Sequence, residues 1–155
     1  MKKRVLFVCL GNICRSPMAE AVFRSKVEQA GLSDQIIVDS AGTGDWHIGH
    51  PPHEGTRKEL DLNGISYTGM KARQFTQQDD VDFDFIVCMD TKNERDVREI
   101  LGTRAGSAEV LTFMSLLPER GVTDVPDPYY TGQFDYVFEL VDAGCERLLD
   151  HVKLK

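Results

Sequence analysis

The chain has 155 residues, a formal net charge of −7 and a hydrophobic share of 41%. That length suits one domain that buries roughly two-thirds of its unfolded surface, and no apolar run approaches the roughly 20 residues of a membrane span. The acidic balance and the lack of a long basic run argue against nucleic acid as a partner, and the four cysteines (Cys9, Cys14, Cys88, Cys145) show no secreted disulfide spacing, which reads as reduced thiols in a cytoplasmic protein.

The start, Met1-Lys2-Lys3-Arg4, is basic and leads into an apolar stretch, which imitates a signal peptide. The stretch stops at Gly11-Asn12 after too few residues, so Val5 to Cys9 reads instead as a first strand, apolar on both faces as in a buried parallel sheet. From Ser16 the positions Met18, Ala19, Val22, Phe23, Val27 and Ala30 keep helical spacing, and Gly31 ends the run. Ile36 to Ala41 is a second strand. Gly42 to Pro52 is too rich in glycine and proline for anything but a loop. A helix follows from about His53 to Leu62 and stops at Asn63-Gly64. Lys71 to Phe75 is short and undecided, and Thr76 to Asp79 suits a helix start. Phe85 to Met89 is a third buried strand, Asp90 the cap of a helix from Thr91 to about Leu101, and Glu109 to Leu111 a fourth strand. Ser115 to Tyr130, with Pro118, Pro126 and Pro128, reads as loop. The last helix carries one apolar stripe: Phe134, Val137, Phe138, Val141, Cys145, Leu148, Leu149 and Val152.

Strands alternating with helices imply a single α/β domain over residues 1–155, with a central four-stranded parallel sheet and helices on both faces. Sites in such folds lie at the carboxyl ends of the strands. Cys9, Ser40, Asp90 and the loop carrying Trp46 all fall at that edge.

One stretch there carries chemistry: Cys9-Leu10-Gly11-Asn12-Ile13-Cys14-Arg15-Ser16-Pro17. A strand that turns through glycine into a helix start leaves N–H groups without partners, and an anion can take them up. Loop amides and the helix dipole favour a thiolate at Cys9 and phosphate oxygens above it. Arg15 offers a planar fork to two of those oxygens. Ser16 can hydrogen-bond the thiolate, and its position before Pro17 suits a helix N-cap. Gly11 permits a backbone angle that a Cβ would resist. Late in the chain, Asp127 lies between Pro126 and Pro128, which hold its carboxyl in a defined place. From the residues alone it reads equally as turn chemistry or as a proton donor to a leaving oxygen. Trp46 reads equally as a partly buried loop residue or as a cleft wall.

Cys9 to Pro17 resembles the phosphate-binding loop of the low-molecular-weight protein tyrosine phosphatases: a cysteine, five residues, an arginine and a serine near the N-terminus. Asp127-Pro128-Tyr129-Tyr130 resembles that family's general-acid loop. The resemblance runs from Val5 to the final helix. It implies a flavodoxin-like fold and hydrolysis of protein phosphotyrosine and small aryl phosphates without metal or cofactor. Cys9 would be the nucleophile, Arg15 the phosphate clamp and Asp127 the general acid, with a phosphocysteine intermediate. Leu10, Gly11, Asn12, Ile13, Cys14 and Ser16 would form the loop. Asn12 would brace it with Ser40, and Leu10, Trp46, Tyr129 and Tyr130 would wall the cleft. Phosphotyrosine proteins would be the partners and inorganic phosphate the product and inhibitor, with no membrane or nucleic acid involved. Cys14 resembles the cysteine that can form a disulfide with the nucleophile. Where the family often has a histidine before Lys71-Ala72-Arg73-Gln74, this chain has Met70, so one brace is expected to be missing.

Cys88 and Cys145 read as core residues, and His47, His50 and His53 match no zinc-ligand spacing. Three other functions compete. Arsenate reductases share the fold and loop but relay electrons through two further cysteines close together in mid-chain, where this chain has Cys88 alone. Protein-arginine phosphatases resemble it too, but favour threonine where Ile13 stands. A phosphate-binding or redox-sensing module without turnover would not need Asp127.

Overall fold

Strand β1 (Lys3–Cys9) lies inside the sheet, between β2 (Ile36–Gly42) and β3 (Phe85–Cys88), and β4 (Glu109–Thr112) lies beyond β3. The order is β2-β1-β3-β4 and every pairing is parallel, with Val5 opposite Val38 on one side and Phe85 on the other. The computed structural model describes residues 2–103 and 106–155; Met1, the first residue of the basic start, lies outside them.

Successive strand residues point to opposite faces. Val5, Phe7 and Cys9 pack into the larger core with helices α1 (Arg15–Gln29), α2 (Glu54–Leu62) and the C-terminal helix, while Leu6 and Val8 pack into the second core with Val97 and Leu101. Helices on both faces leave β1 no solvent side, which is why its sequence lacks polar alternation. The chain steps from β1 outward to β2, then returns past β1 to β3. The order therefore reverses at the carboxyl end of β1, where an open parallel sheet leaves a crevice.

After β2 the chain forms α2 and the short α3 (Asp79–Asp82), and α4 (Thr91–Leu101) links β3 to β4. Asp90 caps α4 as read from the sequence: its carboxylate accepts from the Asn93 N–H at 2.7 Å, and the Asn93 side chain accepts from the Asp90 N–H at 3.1 Å. The undecided segment Lys71 to Phe75 is extended. It bridges Gly42 at Gln74, with Gly42 N–H to Arg73 O at 2.9 Å and Phe75 N–H to Gly42 O at 2.7 Å.

Two local expectations are corrected. Ser16 is not an N-cap: α1 starts at Arg15, with Cys14 in the cap position and no side-chain cap. Its hydroxyl is engaged with Cys9 and Asn12 instead. The stretch from Ser115 to Tyr130 is not all loop. It opens inside a 3₁₀ turn at Phe113–Leu116, contains another at Pro118–Arg120, and ends in α5 (Pro128–Thr131), started by Pro128 in the first helical position. The last helix, α6 (Phe134–Lys153), lays its apolar stripe against α1 and α2.

Candidate active site

The turn from β1 into α1 is built around Asn12, among the described residues the one non-glycine residue with positive φ, at 57°. Such a backbone costs of order 1–3 kcal/mol and persists only when its surroundings hold it. Here they do. The Asn12 Nδ2 group donates to Ser16 Oγ at 2.8 Å and to Ser40 Oγ at 2.9 Å, and Oδ1 accepts from the Arg73 N–H at 3.0 Å. The carbonyls of the loop are pinned outward: Cys9 O by Thr43 N–H, Leu10 O by Gly44 N–H, Ile13 O by His53 N–H and Cys14 O by the Thr56 hydroxyl. Peptide planes held this way present their N–H groups to the inside, a concave anion site. One of them, Asn12 N–H, reaches Cys9 Sγ at 3.3 Å.

Cys9 Sγ lies at the floor, 2.9 Å from Ser16 Oγ. Arg15 is 97% buried beside it. Its guanidinium donates to Asp90 Oδ2 at 2.6 Å and to Val125 O at 2.9 Å, and lies 3.6 Å from Asp127 Oδ2. Burial works against the charge of Arg15, but Cys9, Asp90 and Asp127 outweigh it and raise its pKa above the ordinary arginine value. Asp90 therefore does two jobs, capping α4 and aiming Arg15, of which the sequence showed the first.

Asp127 has the turn role read from the sequence, and it also faces the cavity. Its Oδ1 caps α5 by accepting from the Tyr129 N–H at 3.1 Å, and Oδ2 faces Arg15. Cys9, Arg15 and Asp127 line one cavity of about 230 Å³. Leu10, Ile13, Trp46, Tyr129 and Tyr130 complete its walls, together with His47, which the sequence did not place there. Trp46 is 65% exposed and stands at the rim, so it is no partly buried loop residue. The Tyr129 and Tyr130 rings meet edge to face at 5.2 Å between centroids. The cavity can take a flat ring, bring a phosphate to the thiol, and hold a carboxyl beside the leaving oxygen.

The remaining thiols are of another kind. Cys14 is buried beside Ile13 and Ala72, and burial, then the charges of Cys9 and Asp127, push its pKa far up. Burial pushes Cys88 to about 12 and Cys145 higher still, as suits core thiols. The His53 ring accepts from the Gly55 N–H through Nδ1 and stacks on Phe134, which makes it a cap of α2. Among the described residues no group of three His, Cys, Asp or Glu side chains could hold a metal ion.

Loss of Asp90 is expected to cost about 2–4 kcal/mol, from a lost cap and a buried guanidinium without its partner. Urea unfolding of Asp90→Ala against the parent measures this, and Asp90→Asn, which keeps the cap, should lose less.

The family model described as low molecular weight phosphotyrosine protein phosphatase matches residues 4–155. The chain belongs to the low molecular weight protein tyrosine phosphatase family. It is 50% identical over 149 residues to the low molecular weight protein-tyrosine-phosphatase YfkJ of Bacillus subtilis, covering 96% of this chain and 95% of that one. Its identity to PtpA of Staphylococcus epidermidis, of the same description, is 47% over 148 residues, covering 96% and 92%. The crystal structure of YfkJ superposes with a TM-score of 0.95 over 99% of this chain and 96% of that one, at 48% identity. A Drosophila arginine phosphatase structure, 33% identical, gives 0.88 over 97% of each chain. The family makes the chain a hydrolase acting on protein phosphotyrosine, and among its described residues no helix is long and apolar enough to cross a membrane.

Proposed function

We propose that this phosphatase works through a phosphocysteine on Cys9. The thiolate attacks phosphorus in line, the P–O bond to the tyrosine oxygen breaks, and Asp127 gives its proton to that oxygen. Water then attacks the phosphocysteine, Asp127 takes back a proton, and the S–P bond breaks to release inorganic phosphate. The loop amides from Leu10 to Cys14 and the Arg15 fork hold the equatorial oxygens throughout, which is positioning and electrostatics rather than covalent chemistry. Product phosphate fits the same cradle and inhibits. No metal or cofactor enters, and neither nucleic acid nor membrane is a partner. The protein acts in the cytoplasm on phosphotyrosine proteins.

The observation that carries this reading is the convergence of Cys9, Arg15 and Asp127 on one cavity with aromatic walls. Leu10, Trp46, Tyr129 and Tyr130 suit an aryl phosphate and set a depth that a phosphoserine reaches less well. Ile13, apolar and lining the pocket, favours that ring over a guanidinium. The second reading is phosphoarginine hydrolysis, favoured by the likeness to the Drosophila arginine phosphatase. Cys14 adds a redox response: peroxide oxidises Cys9 to a sulfenic acid, and the Cys14 sulfur displaces water to form a reversible disulfide.

The test is phosphate release from matched phosphotyrosine, phosphoserine and phosphoarginine peptides at mildly acidic pH without metal. Acid quench and mass spectrometry of the peptide bearing Cys9 accompany it. Phosphotyrosine turnover with a phosphoryl group on Cys9 is expected. A preference for phosphoarginine overturns the substrate assignment and keeps the mechanism, and turnover with no trapped phosphocysteine overturns the mechanism.

A further inference from the structure

The hydrogen bonds behind the catalytic loop continue past Ser40 into α1. Ser40 Oγ donates to Glu20 Oε1 at 2.6 Å, and Oε2 of the same carboxylate is held by Arg24, whose guanidinium also donates to Val38 O at 2.8 Å. Glu20 is 95% buried, in a stretch of α1 from Arg15 to Phe23 that is buried without a break. A carboxylate there needs a reason, because burial alone costs several kcal/mol.

The proton count supplies one. Arg73 N–H fixes Asn12 Oδ1, so both Asn12 amide protons point at the two serines. Each serine oxygen then accepts one bond and has one proton of its own to place. The proton of Ser16 has Cys9 Sγ at 2.9 Å, and that of Ser40 has Glu20. Without Glu20, the remaining side-chain partner of the Ser40 hydroxyl is Asn12. Turning that amide to receive the proton would break the bond from Arg73 and remove a donor from Ser16. Met70 cannot intervene. It lines, with Asn12, Glu20 and Ser40, a crevice with no room for a water molecule, and a thioether is no donor and a weak acceptor.

We propose that Glu20 is a positioning residue of this phosphatase, the terminal acceptor that fixes the direction of the Ser40–Asn12–Ser16 hydrogen bonds and keeps the Ser16 hydroxyl donating to the Cys9 thiolate. The proposal rests on Cys9 acting as the nucleophile. Arg24 from the same helix, Asp39 from β2 and Lys71 at the crevice are the charged groups around it. Burial raises the Glu20 pKa, while Ser40 and Arg24 draw it back.

The experiment compares Glu20→Ala and Glu20→Gln by kcat and KM on an aryl phosphate, and by the pH dependence of Cys9 alkylation with iodoacetamide. Glu20→Ala should lower kcat about ten-fold with KM little changed, and should move the alkylation profile to higher pH. Glu20→Gln, whose carbonyl still accepts from Ser40, should stay within about three-fold of the parent. Cys145→Ala, a buried change in the core of α6, should lower thermal stability and leave the alkylation profile in place. Should Glu20→Ala fail to fold, Ser40→Ala takes its place with the same expected shift. An unmoved alkylation profile overturns the proposal, as does a Gln variant that falls as far as the Ala variant. Alkylation needs no turnover, so a parent enzyme whose activity survives loss of Cys9 would instead refute the underlying mechanism.

Discussion

Replacing Cys9 with serine is expected to lower turnover by about 10⁴-fold or more while phosphate still binds. The cradle consists of loop amides and Arg15, of which the change touches one, the Asn12 N–H that reaches Cys9 Sγ. The chemistry depends on an ionised sulfur. Its partners are Ser16 Oγ at 2.9 Å and Asn12 N–H at 3.3 Å, which can steady a negative charge but cannot pull a proton from an alcohol. A serine hydroxyl at the floor therefore stays neutral, and its shorter C–O bond draws the oxygen back from phosphorus. Steady-state kinetics on a phosphotyrosine peptide and titration with inorganic phosphate, read together, check this. Phosphate affinity within a few-fold of the parent with no turnover is the expected pair of results. Turnover retained by Cys9→Ser removes Cys9 from the mechanism. Lost turnover together with lost phosphate binding makes Cys9 a structural part of the cradle.

The sequence reading succeeded where one residue type answers one local demand. The unbroken apolar run of β1 announces a strand covered on both faces, and the alternation of strands and helices gives the parallel sheet. The loop from Cys9 to Ser16 was legible because a nucleophile, a glycine and an arginine stand on one turn. It failed where a residue answers two demands or a distant one. Asp90 looked like a cap, and is one, but its second oxygen holds Arg15 from 75 residues away. Ser16 looked like a cap because serine before proline usually is; Asn12 and Cys9 claimed its hydroxyl first. Glu20 escaped because helical spacing assigns polar residues to the solvent side, and the first half of α1 has none. An acidic residue between Ala19 and Ala21 in a helix that starts at the site was the available signal. Arg73 was out of reach altogether, since what it gives Asn12 is its backbone N–H.

The contact of Asp90 holds positive charge still at the site. Arg15 is fixed on one side by Asp90 and Val125 O, leaving Asp127 3.6 Å from its other nitrogen. A phosphate dianion entering the cradle takes the charge of Arg15 for itself. In the mechanism proposed above, the carboxyl gives its proton to the leaving oxygen in the first step. Departure of the neutral tyrosine leaves it ionised, ready to accept one from water in the second.

Asp127→Asn is expected to lower kcat/KM, which reports the first step alone, by roughly 100- to 1,000-fold on phenyl phosphate and phosphotyrosine, and by far less on 4-nitrophenyl phosphate. Asparagine caps a helix as well as aspartate does, so α5 and the Tyr129 and Tyr130 wall should stay in place, and thermal melting should show little change. What the amide cannot do is deliver a proton. A phenolate that is stable as an anion leaves without one, whereas a more basic oxygen does not. The variant should therefore show a steeper dependence of kcat/KM on leaving-group basicity than the parent. Its pH profile should change as well. The proposed mechanism needs Cys9 ionised and Asp127 protonated, so the asparagine variant should lose the fall in rate that deprotonation of Asp127 gives the parent. Measuring kcat/KM across a series of substituted phenyl phosphates separates the two readings of this residue. A uniform loss for every leaving group would mean that Asp127 only shapes the loop and faces Arg15. A loss that grows with basicity is the mark of a proton donor.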